Sequence, residues 1–185
     1  TAEAFGHGRL VIGQGQWAPT NTQFPDKKTK WGNVSGSYSF STQVAEVEVD
    51  RETGSIKIDR LHFVFDGGTV INPLIHQGQI EGGIIQGVGY ALTEDLMLDA
   101  GRVLTLTLGD YKIPTIQDIP PLMTSLVQGK VGPGPFGAKA VAEAGISIVA
   151  PAVANAVYNA TGVRITELPI TPEKILAGLK EVFYD

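Results

Sequence analysis

Residues 44–49, Val-Ala-Glu-Val-Glu-Val, alternate apolar and polar side chains, and an apolar-rich run returns over residues 56–65 after Asp50-Arg51-Glu52-Thr53-Gly54. A period of two sends successive side chains to opposite faces, so the first run reads as a half-buried strand and the second as its partner. Gly54 is free to take a positive φ and closes the turn between them. The pair is a β-hairpin, which rules out an all-helical chain before anything else is considered.

The pattern then changes period. From Pro73 to Leu92 the apolar residues Leu74, Ile75, Ile80, Ile84, Ile85, Val88 and Leu92 recur at three- and four-residue steps, which predicts a helix despite five glycines in the run. Glycines inside a helix mark close approach of a neighbouring backbone or a ligand. Leu96-Met97-Leu98 and Val103-Leu104-Thr105-Leu106 flank a turn at Asp99-Ala100-Gly101, a second strand–turn–strand. Residues 118–121 read as irregular, 122–128 as a strand and 129–137 as a loop. Pro151 suits the first turn of a helix ending near Gly162, and Thr171-Pro172-Glu173 caps a terminal helix. Residues 1–37, punctuated by Gly and Pro, read as a loop-rich N-terminal segment around one short strand at 9–12, belonging to the same domain as 38–185. The class is α+β, a mixed sheet packed with helices.

A chain of 185 residues with 43% hydrophobic residues can bury a core. It has no Cys, hence no thiolate ligand, no cluster of its own and no disulfide. A net charge of −5 and the lack of any Lys/Arg stripe argue against nucleic acid, since Lys27-Lys28-Thr29-Lys30 is short and reads as a solvated loop. No run has the apolar length of a membrane span. The expected setting is the cytoplasm, with the periplasm as the alternative. The chain starts at Thr1, which suggests a piece of a longer protein or a processed chain.

The residues that could carry chemistry are few. Gly134-Pro135-Phe136-Gly137-Ala138-Lys139-Ala140-Val141-Ala142-Glu143-Ala144-Gly145 places one carboxylate, Glu143, among small apolar residues. Spacing alone leaves two readings: an acid in a loop or early helical turn, favoured by the helix dipole, or a desolvated carboxylate kept as a base. The Gly-rich stretch before Lys139 lacks the Gly-Lys-Ser/Thr signature of a phosphate loop, and Gly87-Val88-Gly89 lacks the strand and third glycine of a dinucleotide site. His7, His62 and His76 are too scattered for a zinc site, and no serine nucleophile elbow is present.

A second motif, Asp66-Gly67-Gly68-Thr69-Val70-Ile71-Asn72-Pro73, precedes Gly78-Gln79-Ile80-Glu81-Gly82-Gly83-Ile84-Ile85-Gln86-Gly87-Val88-Gly89. With Tyr38-Ser39-Phe40, Thr53-Gly54, Asp110-Tyr111-Lys112-Ile113-Pro114-Thr115, the Glu143 segment, Thr161-Gly162-Val163-Arg164-Ile165 and Leu168-Pro169-Ile170-Thr171-Pro172-Glu173-Lys174-Ile175, they form an ordered series from residue 38 to the end. That series resembles the C-terminal part of the molybdopterin-binding subunit of the xanthine dehydrogenase and aldehyde oxidase family, the molybdenum hydroxylases.

The resemblance implies a molybdenum–molybdopterin cofactor, in plain or cytosine-dinucleotide form, whose metal is held by the pterin dithiolene with no direct protein ligand. It implies that Glu143 is the general base that deprotonates a metal-bound hydroxyl, whose oxygen attacks an electron-poor carbon while hydride passes to a sulfido ligand. Gln79 is implied to lie beside the pterin or the metal ligands, and Gly137, Ala138, Lys139, Ala140 and Val141 to form the cofactor-facing approach. For Lys139 three roles stay open: a cofactor phosphate, an ordinary salt bridge or a solvent-facing ammonium. Asn72 is expected to cap the helix, Glu81 to form an internal ion pair, and Asp66 to shape the turn after its strand.

One departure stands out: the family commonly has Gly where this chain has Ala142. Ala144-Gly145 replaces the Pro-Pro of animal enzymes, which implies a bacterial-type member. The implied activity is oxidation of an aldehyde or N-heteroaromatic carbon with water as oxygen source, electrons leaving to iron–sulfur clusters and FAD on partner segments. The implied partners are the remainder of the molybdenum subunit and the iron–sulfur and FAD subunits. The isolated chain is expected to be inactive. Two other readings are a non-catalytic structural or assembly subunit of such a complex, and a small free-standing binding module.

Overall fold

The structure, a computed structural model, describes Gly8, residues 12–129 and residues 132–184, the last two without their side chains. The expected hairpin is present as β1 (Ser41–Val49) and β2 (Ile56–Asp66), antiparallel, with Gly54 at φ +75° in the turn. Its inward residues are Ala45, Val47 and Val49 on β1, so Val44 falls on the outer phase and is exposed. On β2 the apolar positions step as 56, 58, 61, 63 and 65. The three-residue step is a β-bulge: Glu46 pairs Arg60, Val47 pairs Ile58, and Asp59 is left over. This extra residue lets Ile56 and Ile58 share a face with the fully buried Leu61, Phe63 and Phe65.

Helix α1 (Pro73–Leu92) follows, with Asn72 as the expected cap, its side-chain oxygen accepting from the Ile75 N–H at 3.1 Å. A two-residue ladder, β3 (Leu98–Asp99) with β4 (Arg102–Val103), is a shorter version of the expected second hairpin. A four-residue helix, α2 (Leu108–Tyr111), and a 3-10 turn (Ile116–Asp118) were not expected. Both carry a capping box, Thr107 with Asp110 and Thr115 with Asp118, a spacing visible in the sequence. Strand β5 (Leu122–Val127) then runs parallel to β2 on the side away from β1, giving a three-stranded mixed sheet of order β1-β2-β5.

Helix α3 (Val149–Thr161) has Pro151 in its first turn and ends on Gly162 at φ +79°, and α4 (Pro172–Tyr184) begins after Thr171. The core lies between the sheet and these helices: Leu61, Phe63 and Phe65 meet Ile80, Ile84 and Val88 of α1 and Val149, Val153 and Val157 of α3. Described residues before β1 form no helix or strand; most of the strand expected at 9–12 lies outside the described residues, and Ile12 is irregular. Residues 27–29 are an exposed turn capped by the Asp26 carboxylate, as expected of the lysine cluster.

The glycines of α1 divide into two sets. A Cβ on Gly87 would stand 2.5 Å from Val149 Cγ2 and 3.1 Å from the Ile146 carbonyl, and one on Gly83 would stand 3.3 Å from Gly145 Cα. Reciprocally, a Cβ on Gly145 would meet the Ile80 carbonyl at 2.5 Å. These bare positions let the chain after Glu143 lie directly on the helix. Gly78 and Gly82 have nothing within 4 Å of where a Cβ would be. Gly82→Ala should therefore raise stability by about 1 kcal/mol through helix propensity, whereas Gly87→Ala should lower it by about 1–3 kcal/mol through overpacking. Urea unfolding of the two variants checks the contrast.

Candidate functional site

Residues 137–146 run as a strap across the end of the sheet and along α1. At its start, the Gly137 carbonyl accepts from the N–H groups of Thr69 and Gly132, and the Lys139 N–H donates to the Gly67 carbonyl at 3.0 Å. Ala138 forms a bridge with Gly68. Further along, Ser39 Oγ donates to the Ala140 carbonyl at 3.1 Å and Gln79 Nε2 to the Ala142 carbonyl at 2.7 Å. Tyr90 Oη donates to the Ile146 carbonyl at 2.8 Å, which pins the far end.

This routing brings Gln79 and Glu143, 64 positions apart in sequence, to the same hollow. It is an open cavity of about 270 Å³ lined by Gly78, Gln79, Gly82, Gln86, Ala142 and Glu143, with Gly83 and Ile146 at its floor. Gly137, Ala138, Lys139, Ala140 and Val141 do not line it. Gln86, which the sequence does not mark as a site residue, lines it too. The signal for it was the four-residue step 78, 82, 86, a helix face made only of Gly and Gln.

The apolar setting expected around Glu143 does not bury it. Glu143 and Ala142 are both exposed, because the small side chains of 140–145 leave room rather than fill it. Nor does Glu81 form the expected ion pair: its Oε1 accepts from Gln77 Nε2 at 2.7 Å and from Thr124 Oγ1 at 3.4 Å, neutral donors presented by the preceding helical turn and by β5. Among the described residues no group of three or more His, Asp or Glu could hold a metal ion. His62 sits on β2 with Nε2 2.7 Å from Glu46 Oε1. His76 packs on Phe65, its Nε2 buried without a hydrogen bond, and burial lowers its pKa.

Lys139 takes the salt-bridge option. Its Nζ lies 2.7 Å from Asp66 Oδ2, and its side chain is only 7% exposed. The hydrogen bond from Lys139 first, then the one from the Gly68 N–H, hold the Asp66 carboxyl below its ordinary 3.8. Asp66 thus shapes its turn, as expected, and also anchors the strap.

An amide and a carboxylate thus stand over an open hollow beside the glycine-bearing face of α1. A family model described as the molybdopterin cofactor-binding domain matches residues 2–120. The chain belongs to this family, of the xanthine dehydrogenase and aldehyde oxidoreductase type. It is 38% identical over 148 residues to the probable hypoxanthine oxidase of Escherichia coli K12, covering 79% of this chain and 16% of that protein. It is 37% identical over 167 residues to the aldehyde oxidoreductase of Megalodesulfovibrio gigas, covering 90% and 18%. The solved aldehyde oxidoreductase from Desulfovibrio gigas superposes with a TM-score of 0.80 at 34% identity, over 97% of this chain and 20% of that one. The chain therefore spans about a fifth or less of the relatives it matches. No helix among the described residues is long and apolar enough to cross a membrane.

The ion pair makes a pH prediction. A carboxylate whose pKa is depressed by folding adds stability that is complete above its unfolded value and lost as pH falls through the folded one. The Asp66 contribution is therefore present above its ordinary 3.8 and fades below it. Asp66→Asn should lower the melting temperature at neutral pH and flatten the acid limb, as read by melting curves from about pH 2 to 7.

Proposed function

We propose that this chain carries the base-bearing wall of a molybdenum hydroxylase site that oxidises an aldehyde or N-heteroaromatic carbon, with water as oxygen source. The observation that carries this reading is the meeting of Gln79 and Glu143 over the bare Gly78/Gly82 face of α1. Two helix-interior glycines cost about 1 kcal/mol each against alanine. Among the described residues, no atom outside the helix's own backbone and the chain neighbours lies within 4 Å of where a Cβ would stand on either. A face kept bare at that cost suits a bulky planar group arriving from outside.

The residues present fit a molybdopterin. Gln79 and Gln86 offer amides that donate and accept towards a pterin edge, and residues 137–141 form the approach to Glu143. When bound, the cofactor supplies the two-electron acceptor and the oxygen-transfer centre, in its plain or cytosine-dinucleotide form. Gln79, by holding the Ala142 carbonyl, fixes the peptide next to Glu143 and so limits where the carboxylate can reach. Glu143 would act as the base that takes up a proton at Oε, a role that needs a fixed carboxylate shielded from water. Its exposure in this chain implies that the shield comes from the rest of the molybdenum subunit, so the isolated 185 residues are inactive. Electrons leave through iron–sulfur and FAD segments carried by partners.

Glu143→Gln in the assembled complex tests the reading. Turnover should fall by about 10²–10⁴-fold, with the melting temperature and molybdenum content unchanged. Unaltered turnover would make the chain a structural subunit instead.

A further inference from the structure

One nearly buried charge among the described residues lies outside the hollow. Lys139 is an ammonium with 7% side-chain exposure, paired to an Asp66 that is itself 19% exposed. Its stem passes between two glycines: a Cβ on Gly132 would stand 2.7 Å from Lys139 Cγ, and one on Gly68 3.1 Å from it. Asp66 Oδ1 in turn occupies the space a Cβ on Gly129 would need, at 2.6 Å. The ammonium also lies 5.6 Å from the centroid of the Phe40 ring. Three bare backbone positions and an aromatic face thus surround one ion pair, linking the end of β2 to the strap four residues before Glu143.

We propose that Lys139 and Asp66 act as positioning residues for Glu143: the pair locks the strap so that the carboxylate is presented at a fixed height over the Gln79 face. The inference deepens the reading of Glu143 as base and rests on it. Among the described residues, two side chains grip the strap's backbone between Lys139 and Glu143, Ser39 at Ala140 and Gln79 at Ala142. Each is a single neutral hydrogen bond from an exposed residue. The ion pair is partly desolvated and charge-assisted, and so holds its geometry more firmly than either. Its loss would leave a buried charge with no partner, and the local answer is for the strap to lift so that the remaining charge reaches water. A shift of about 1 Å at a base can cost on the order of 100-fold in rate. Lys139 so engaged gives one N–H of its ammonium to Asp66, and the lock and a cofactor-phosphate role are experimentally separable.

The test uses Lys139→Met, Asp66→Asn and the double variant in the assembled holoenzyme. The lock predicts that each single variant lowers kcat per bound molybdenum by about 10- to 100-fold, with KM and with molybdenum and pterin content as in the unmodified enzyme. The double variant should be no worse than the worse single one, because both remove one interaction. Hydrogen exchange should quicken at the amides of residues 138–146 while β1 and β2 keep their protection. Loss of molybdenum and pterin in Lys139→Met but not in Asp66→Asn would overturn the lock and assign Lys139 to the cofactor. Unchanged exchange and unchanged kcat in both would also overturn it. Should Lys139→Met fail to fold, Asp66→Asn decides alone, since its amide oxygen still accepts from the Gly68 N–H. If Glu143→Gln keeps its turnover, the base reading fails, and the exchange measurement still judges the lock.

Discussion

The near-contact of two backbones, residues 145–146 against residues 80–87 of α1, is the constraint from which the rest of the arrangement follows. Peptides can approach this closely only where neither carries a side chain, which is why Gly83, Gly87 and Gly145 coincide there. Once the strap is seated, Val149, Val153 and Val157 of α3 are delivered to the sheet beside Ile80, Ile84 and Val88. Glu143 is left on the outer side, two residues before the point of closest approach. The core and the hollow are two faces of one packing decision. A side chain at Gly145 would meet the Ile80 carbonyl and move both.

Much of the fold was legible because the periods were clean. The hairpin, α1 and the two C-terminal helices sit where alternation, three-and-four spacing and the Pro and Gly boundaries put them. What escaped had competing signals. Asp59 is unremarkable by itself, and only the three-residue step between Ile58 and Leu61 reveals the bulge. Helix α2 and the 3-10 turn are too short for a period, and their capping boxes were the only trace.

The site was legible in its members more than in its geometry. The family resemblance singled out Gln79 and Glu143, and the chain does bring them together. Sequence could not say which glycines of α1 are filled by the strap and which remain open, because that depends on the helix's rotation against a segment some 60 residues away. Of the two readings left open for Glu143, the structure shows the exposed one. Small apolar neighbours look like burial in a sequence, but alanines at 140, 142 and 144 cover too little area to exclude water. A charge that is kept from solvent is Lys139, for which sequence left a salt bridge, a cofactor phosphate and a solvent-facing position open.

Strand β5 pairs with β2 only after 55 intervening residues, between Asp66 and Leu122, have looped out and back. The strap's anchors are as distant: 63 positions for Gln79 to Ala142 and 73 for Lys139 to Asp66. Closing loops of that length comes late in folding, after local hairpins and helices have formed. The hairpin can exist before the hollow does, whereas the hollow cannot exist before the strap has docked on α1. Delivery of a cofactor to this surface is then a matter of timing: the hollow is complete only once the chain has been made as far as Ile146 and that segment has folded onto α1.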